Sequence, residues 1–138
     1  MPEPADVIAV VRQWVIKAEN DLKIAAHGLV LGKECPTDAV CFHAQQCVEK
    51  YLKALLVRQG IDFAKTHEIV KLMALLPRTP ASELNAREAE RLTDYATATR
   101  YPGDYEEITL GEARRAVRMA RRVRAKARRQ LPRQALRR

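Results

Sequence analysis

The sequence predicts an all-α protein, an antiparallel up-and-down bundle of four to five helices. Apolar residues recur at spacings of three and four over long stretches, which is typical of helices with one buried face. Glycine and proline are sparse, with 5 and 7 among 138 residues, and most of them stand between those stretches. Long helices joined by short turns favour antiparallel neighbours. The length suits one domain with one core.

The first two helices are expected over 6–30 and 37–59. Asp6, which follows Pro4, is a plausible N-cap for the first. Gly60 is placed to end the second, since glycine readily adopts the left-handed conformation found after helices. The apolar stripe of the second helix is Val40, Ala44, Cys47, Val48, Tyr51, Leu52, Leu55 and Leu56.

Three further helices are expected in the second half of the chain. A short one follows Thr66 and stops at Pro77. A fourth starts near Ser82 and must end before Pro102, because the residue ahead of a proline resists helical geometry. The fifth opens at Thr109 with a capping-box pattern and carries a narrow stripe of small residues. We expect the domain to span 5–130 and to be followed by a disordered basic tail over 131–138.

The net charge of +8 is unevenly distributed. Residues 111–138 hold twelve Lys and Arg against one acid, whereas the rest holds 13 basic and 16 acidic residues. An acidic body is thus expected to hold part of the basic segment and to leave the rest for an outside polyanion. The arginines on the expected fifth helix are Arg114, Arg115, Arg118, Arg121, Arg122, Arg124, Arg128 and Arg129. They form either a solvated face or a non-specific, salt-sensitive nucleic-acid surface.

Several classes of protein are disfavoured. No apolar run approaches the roughly 18 residues of a membrane span, and no secretory signal is visible at the N-terminus. Three cysteines, Cys35, Cys41 and Cys47, indicate reduced core thiols and a cytoplasmic protein. The three histidines do not stand at metal-ligand spacing, so we expect neither a metal nor a cofactor.

One polar face of the second helix is a candidate site. At about 100° per residue, five polar side chains fall within an arc of roughly 120°. They are His43, Gln46, Glu49, Lys50 and Lys53. The face is either a solvated surface with Glu49 and Lys53 as an ordinary i,i+4 pair, or the wall of a groove that faces a phosphate or a partner. His67, at a helix start, is a local hydrogen-bonding residue or a site residue.

The turn TRYPGDYEE carries the other candidate. Arg100 stands just before Pro102, so its side chain leaves a helix end rather than a helix flank. Tyr101 and Tyr105 bracket it with rings on which a guanidinium or a base can stack. The arginine fork suits a phosphate. The alternative is a C-terminal arginine that satisfies helix carbonyls and the helix dipole.

Three segments together resemble the HEPN domain family. They are FHAQQCVEKYLKALLVRQG, THEIVKLMALL and YATATRYPGDYEEI, in that order. The resemblance covers roughly 5–130 and is closest to the branch that carries an RYP motif. It implies a helical bundle that commonly dimerises, often paired with a small nucleotidyltransferase in a two-component or toxin–antitoxin module.

The resemblance also bears on catalysis. Many HEPN proteins are metal-independent ribonucleases with an Arg-x(4–6)-His motif, and Arg100 matches its arginine. No histidine follows; Tyr105 stands at the four-spaced position, and a phenol is a poor general base at neutral pH. We therefore expect binding of a nucleotide, an RNA phosphate or a nucleotidyltransferase through Lys53, His67, Arg100 and Tyr101. The alternatives are a ribonuclease toxin that uses Arg100, His67 or Tyr105, and a purely structural dimeric scaffold.

Overall fold

Helices dominate the computed structural model, which describes residues 4–77, 84–96 and 106–137. Within these ranges the chain forms six α-helices and no strand. Their bounds are α1 (Ala5–Val30), α2 (Thr37–Arg58), α3 (Ile69–Leu75), α4 (Ala86–Tyr95), α5 (Leu110–Gln130) and α6 (Arg133–Leu136), with a 3-10 turn (Gly32–Glu34) between the first two. The prediction of an all-α bundle is confirmed.

The second helix, α2, is the centre of the bundle. It packs along both α1 and α5 and also contacts α3 and α4. Fourteen of its 22 residues are buried, so it is covered on nearly every side rather than along one stripe. Among its largest fully buried side chains are Tyr51, Leu52 and Leu55. The apolar stripe read from the sequence therefore lies in the core, but the core extends beyond it.

Helix ends differ in part from those expected. Pro4 rather than Asp6 precedes α1, and Asp6 lies in its first turn. The cap of α4 is Asn85, whose side chain accepts a hydrogen bond from the backbone N–H of Glu88 in a capping box. Ser82, where the fourth helix was expected to start, lies outside the described residues. Asparagine is among the preferred N-cap residues, because its side-chain oxygen accepts from a free backbone N–H of the first turn.

Two other ends match their sequence signals. Gly60 has a φ of +70°, its N–H donates to the Val57 carbonyl, and the N–H of Ile61 donates to the Leu56 carbonyl. This pair of bonds is a Schellman motif, which satisfies the last carbonyls of α2. Thr109 caps α5 by accepting a hydrogen bond from the Glu112 N–H at 3.0 Å.

Within the segment expected as a disordered tail over 131–138, the structure describes residues 131–137. Residues 133–136 form α6, which packs against α1. Leu131 and Ala135 are buried, and Arg12 of α1 donates to the backbone carbonyl of Gln134. Leu136 also packs against the core, so apolar side chains hold this basic segment on the bundle.

The cysteines behave as core residues. Cys41 and Cys47 are buried, Cys35 is half-buried, and all three are free thiols. Burial raises the pKa of Cys41 to about 12, so its thiol stays protonated at neutral pH. None of the described helices is both long and apolar enough to cross a membrane.

Candidate functional site

The polar face of α2 is largely covered by neighbouring elements instead of solvated. Gln46, Glu49 and Lys53 are 9%, 2% and 6% exposed. His43 and Lys50, further round the same face, are half-buried. Buried polar groups need partners, and in the described residues every buried side-chain nitrogen and oxygen has one.

Glu49 is the centre of this buried network. One carboxylate oxygen, Oε1, lies 2.7 Å from Nδ1 of His67 and accepts from Nε2 of Gln45 at 3.2 Å. The other, Oε2, accepts from Nζ of Lys53 at 3.0 Å. Gln45 also donates to the backbone carbonyl of His67 at 2.9 Å and accepts from Gln46 at 2.6 Å. The carboxylate thus ties α2 to the segment that leads into α3.

Lys53 was expected to bind a phosphate, but its ammonium already has partners. Besides Glu49, the ring centroids of Trp14 and Phe63 lie 5.4 and 5.8 Å from Nζ. These are cation–π distances, and an ion pair this buried leaves little positive charge for a ligand. In this structure Lys53 supports Glu49.

His67, in contrast, is open to solvent. Its side chain is 67% exposed although its Nδ1 contacts the buried Glu49. A carboxylate can only accept, so Nδ1 carries the hydrogen of this bond. The second ring nitrogen, Nε2, is therefore the one left to accept or donate a proton at a ligand.

The segment carrying His67 lies beside the end of α4. The backbone N–H of Ile69 donates to the Thr93 hydroxyl at 3.0 Å, and that hydroxyl donates to the Ala89 carbonyl at 2.9 Å. Tyr95, the last residue of α4, stands five positions before Arg100 in the sequence. Arg100, Tyr101 and Tyr105 themselves lie outside the described residues.

A second polar cluster joins α1 and α2. Asp21 accepts from His43 Nδ1 at 2.8 Å and from Lys50 Nζ at 2.5 Å. The sequence analysis did not identify Asp21 as part of a polar cluster, although its position in the helix indicates one. It lies three residues after Ala18 and four before Ala25, both fully buried, so it is an acid on an apolar stripe. An acid in that register needs a cationic partner on the neighbouring helix.

The inward-facing arginines of α5 are held by acids of the body. Arg124 binds both carboxylate oxygens of Glu19 at 2.7 and 2.9 Å, and the Tyr51 hydroxyl donates to Glu19 at 2.6 Å. Arg128 donates to the same hydroxyl at 3.2 Å. Burial alone would raise the pKa of Glu19, but the hydrogen bonds from Arg124 and Tyr51 outweigh it and hold that pKa below its ordinary value.

Two further ion pairs connect α4 with α5. Glu112 accepts from both Arg91 and the Tyr95 hydroxyl, and Arg122 donates to Glu88. Burial would raise the pKa of Glu112, yet the hydrogen bonds from Tyr95 and Arg91 lower it. Body acids therefore engage arginines of the basic helix, Glu19 with Arg124 and Glu88 with Arg122, whereas Arg91–Glu112 pairs an arginine of α4 with the acid of α5.

Comparison with known proteins decides the family. The family model of the HEPN domain matches residues 11–130. The chain belongs to the HEPN domain family. Among solved structures, this HEPN-domain protein is similar to TT1696 from Thermus thermophilus, with a TM-score of 0.73 and 31% identity over 88% of this chain and 98% of that one. It is also similar to ST0689, an archaeal HEPN homologue, with a TM-score of 0.67 and 32% identity over 87% of this chain and 96% of that one. A search of curated proteins finds no match.

Membership confirms the resemblance carried by the three sequence segments. The assignment to the branch with an RYP motif stays a prediction, as do the roles of the individual site residues. Of the residues expected to meet at one site, the structure brings Lys53 and His67 together through Glu49.

Proposed function

We propose that this HEPN-domain protein binds a phosphate-bearing ligand, a nucleotide or an RNA phosphate, where α2, the start of α3 and the end of α4 meet. One observation carries the proposal. A buried carboxylate, Glu49, holds a largely exposed imidazole, His67, by one nitrogen and leaves the other for a ligand. A purely local role for His67 would not need a partner buried in the bundle core.

The roles of the expected site residues are revised accordingly. His67 contacts the ligand, and Lys53 acts through Glu49 as a positioning residue. Arg100 and Tyr101 follow the end of α4 by five and six residues in sequence, and we propose that they supply the phosphate-binding guanidinium and a stacking ring.

Calorimetric titration of the purified protein with ATP, AMP and a short single-stranded RNA tests the site. Charge-assisted hydrogen bonds contribute about 1.5–3 kcal/mol, so His67→Ala and Arg100→Ala should each weaken binding roughly tenfold or more. His27→Ala, a change at an exposed histidine of α1, is the matched control and should leave affinity unchanged. Identical isotherms for the wild type and both site variants would end the proposal.

A metal-independent ribonuclease is the second candidate, and the same geometry favours it. An imidazole oriented by a carboxylate is a common arrangement for a general base. In that reaction Nε2 of His67 takes the proton of a ribose 2′-hydroxyl while its oxygen bonds to the adjacent phosphorus. The bond from phosphorus to the 5′-oxygen breaks, and that oxygen takes a proton from solvent, which gives a 2′,3′-cyclic phosphate and a 5′-hydroxyl end, while His67 returns its proton to solvent.

RNA cleavage without a metal ion tests the ribonuclease hypothesis. EDTA-treated protein at high concentration should cleave RNA, and both His67→Ala and Glu49→Gln should lower kcat with a smaller effect on KM. Expression of the wild type should also arrest growth. RNA that stays intact with the wild-type protein contradicts this candidate without affecting the binding proposal.

We also propose a small nucleotidyltransferase as the partner, in a two-component or toxin–antitoxin module, and a homodimer as the assembly. The partner is supported by family membership, and the dimer by Val10, Ile24 and Leu31. These side chains are 46%, 52% and 56% exposed; Val10 and Ile24 lie fourteen residues apart on one side of α1, and Leu31 directly follows its last residue. Co-purification with the enzyme encoded next to this gene tests the partner. Light scattering on the wild type and on Ile24→Lys tests the dimer, and a wild-type monomer contradicts it.

A further inference from the structure

We propose that a groove between α4 and α5 is a second anion site, one that binds a compact chain of phosphates. The groove encloses about 570 Å³, within the range of small-molecule sites. Its lining residues are Arg87, Glu88, Arg91, Arg115, Arg118, Met119, Arg121 and Arg122. None of them belongs to the network around Glu49 and His67.

The groove is strongly cationic. Six guanidiniums and one carboxylate line it, for a formal charge of +5. Glu88 is occupied by Arg122, and Arg91 by Glu112, which does not line the groove. Crowded like charges repel one another and destabilise the folded state, so an anion seated here relieves that repulsion.

Three of these arginines are available to a ligand. Arg87, Arg118 and Arg121 form no hydrogen bond or ion pair with another residue in the described ranges. The arginines further along α5 differ, because Arg124 and Arg128 are engaged by Glu19 and Tyr51. Arg114 and Arg129 of α5 are also exposed, but they do not line the groove, so what distinguishes this cluster is its concave setting between two helices.

The short extent of the groove favours clustered phosphates over an extended nucleic-acid backbone. The lining positions of α5, from residue 115 to residue 122, span about 10 Å of helix at 1.5 Å per residue. Guanidinium forks pair with phosphate oxygens through two hydrogen bonds at a time. No aromatic side chain lines the groove, so nothing there stacks on a base. The ligand chemistry is thus that of a triphosphate chain, from a free nucleotide or from the 5′ end of an RNA.

Titration with inorganic tripolyphosphate at constant ionic strength tests the groove. We expect binding at least tenfold tighter than that of orthophosphate. The double variant Arg118→Gln/Arg121→Gln should lose at least tenfold in affinity; both side chains are exposed, so folding is preserved. The matched control, Arg129→Gln/Arg133→Gln, removes two exposed arginines outside the groove and should change affinity less than threefold. Equal losses of tripolyphosphate affinity in the two double variants would contradict the proposed site and indicate general charge attraction instead.

Further ligands distinguish a free nucleotide from the 5′ end of an RNA, and a phosphate chain from a nucleic-acid backbone or an acidic protein. Binding of ATP by the groove, or of a 5′-triphosphate RNA over its 5′-hydroxyl counterpart, supports the proposal and identifies the source. Equal binding of the two RNAs, without competition by tripolyphosphate, overturns it in favour of a backbone surface. Binding of a glutamate-rich peptide in the absence of tripolyphosphate binding overturns it in favour of an acidic protein partner. AMP binding reports the His67 site, and the double variant Arg118→Gln/Arg121→Gln should leave AMP affinity unchanged, so the two sites fail separately.

Discussion

Lys53 shows at the scale of one residue how this core holds a charge. Its side chain is 8% exposed, and that of its partner Glu49 is 3% exposed. Taking two charges out of water is costly, and their attraction compensates only when further hydrogen bonds satisfy the remaining atoms. Here Gln45 and His67 saturate the carboxylate, and Trp14 and Phe63 lie within cation–π distance of the ammonium.

Removal of one partner of this pair should be strongly destabilising. Lys53→Met leaves Glu49 buried without its cation, and we expect the free energy of unfolding to fall by about 3 kcal/mol. Urea denaturation followed by circular dichroism measures it. The control is Lys71→Met, which breaks the exposed pair with Glu68 and should cost less than about 1 kcal/mol. Adding Glu49→Gln to Lys53→Met should recover part of the loss, and a fully additive double variant would contradict the coupling.

The contact between α1 and α2 is decided at the scale of elements by one small residue. A Cβ built on Gly28 of α1 would lie 2.5 Å from Cγ2 of Val40 on α2. Val40 is 2% exposed and β-branched, so it has little freedom to move aside. The two longest helices of the bundle therefore approach each other closely at this point because Gly28 lacks a side chain.

Gly28→Ala should destabilise the protein although alanine is the better helix former. Alanine gains up to about 1 kcal/mol in a helix, whereas overpacking costs typically 1–3 kcal/mol. We expect a net loss of about 1 kcal/mol, measured as a lower midpoint of thermal unfolding. Gly111→Ala in the first turn of α5 is the control, since its nearest neighbour would be 3.9 Å away, and it should be neutral or stabilising. Stabilisation by Gly28→Ala would show that the helices separate easily.

At the scale of the whole molecule, one acid connects three helices. Glu19 of α1 binds Tyr51 of α2 and Arg124 of α5, and Arg128 lies 4.0 Å away. The pKa of Glu19 is held below its ordinary value of 4.5 in the folded protein. The unfolded chain therefore takes up this proton at a higher pH than the folded one does.

Stability should consequently fall in acid. The contribution of Glu19 is complete above pH 4.5 and is lost as the pH falls through the folded-state pKa. At pH 7, Glu19→Gln should lower the free energy of unfolding by about 2 kcal/mol, the scale of hydrogen bonds to a charged group. The difference from the wild type should shrink as the pH falls below 4.5. A difference that stays constant with pH would mean that packing, and not charge, accounts for the loss. Glu34→Gln, at an exposed residue, is the control.

The helices were predictable because their signals are local. Apolar spacing located α1, α2 and α5, and Gly60 and Thr109 marked ends that the structure confirms. The fold of the last residues was not predictable, because α6 depends on packing against α1 and not on a strong signal of its own. The burial of Glu49 and Lys53 was not predicted for a similar reason. Charged residues at i,i+4 usually form a surface pair, and only the packing of neighbouring elements shows that this pair is covered.

The sequence alone determined the helical periodicity, the polar composition of one face of α2 and the concentration of arginines in α5. These properties depend on residues a few positions apart, so the local chain is sufficient to define them. Tertiary structure decided which charges are neutralised and which remain available. Partners 18 to 105 residues apart, such as Glu49 with His67 and Glu19 with Arg124, meet only when the bundle packs. Burial then sets the strength of each pair, which separates the engaged Lys53 from the exposed His67.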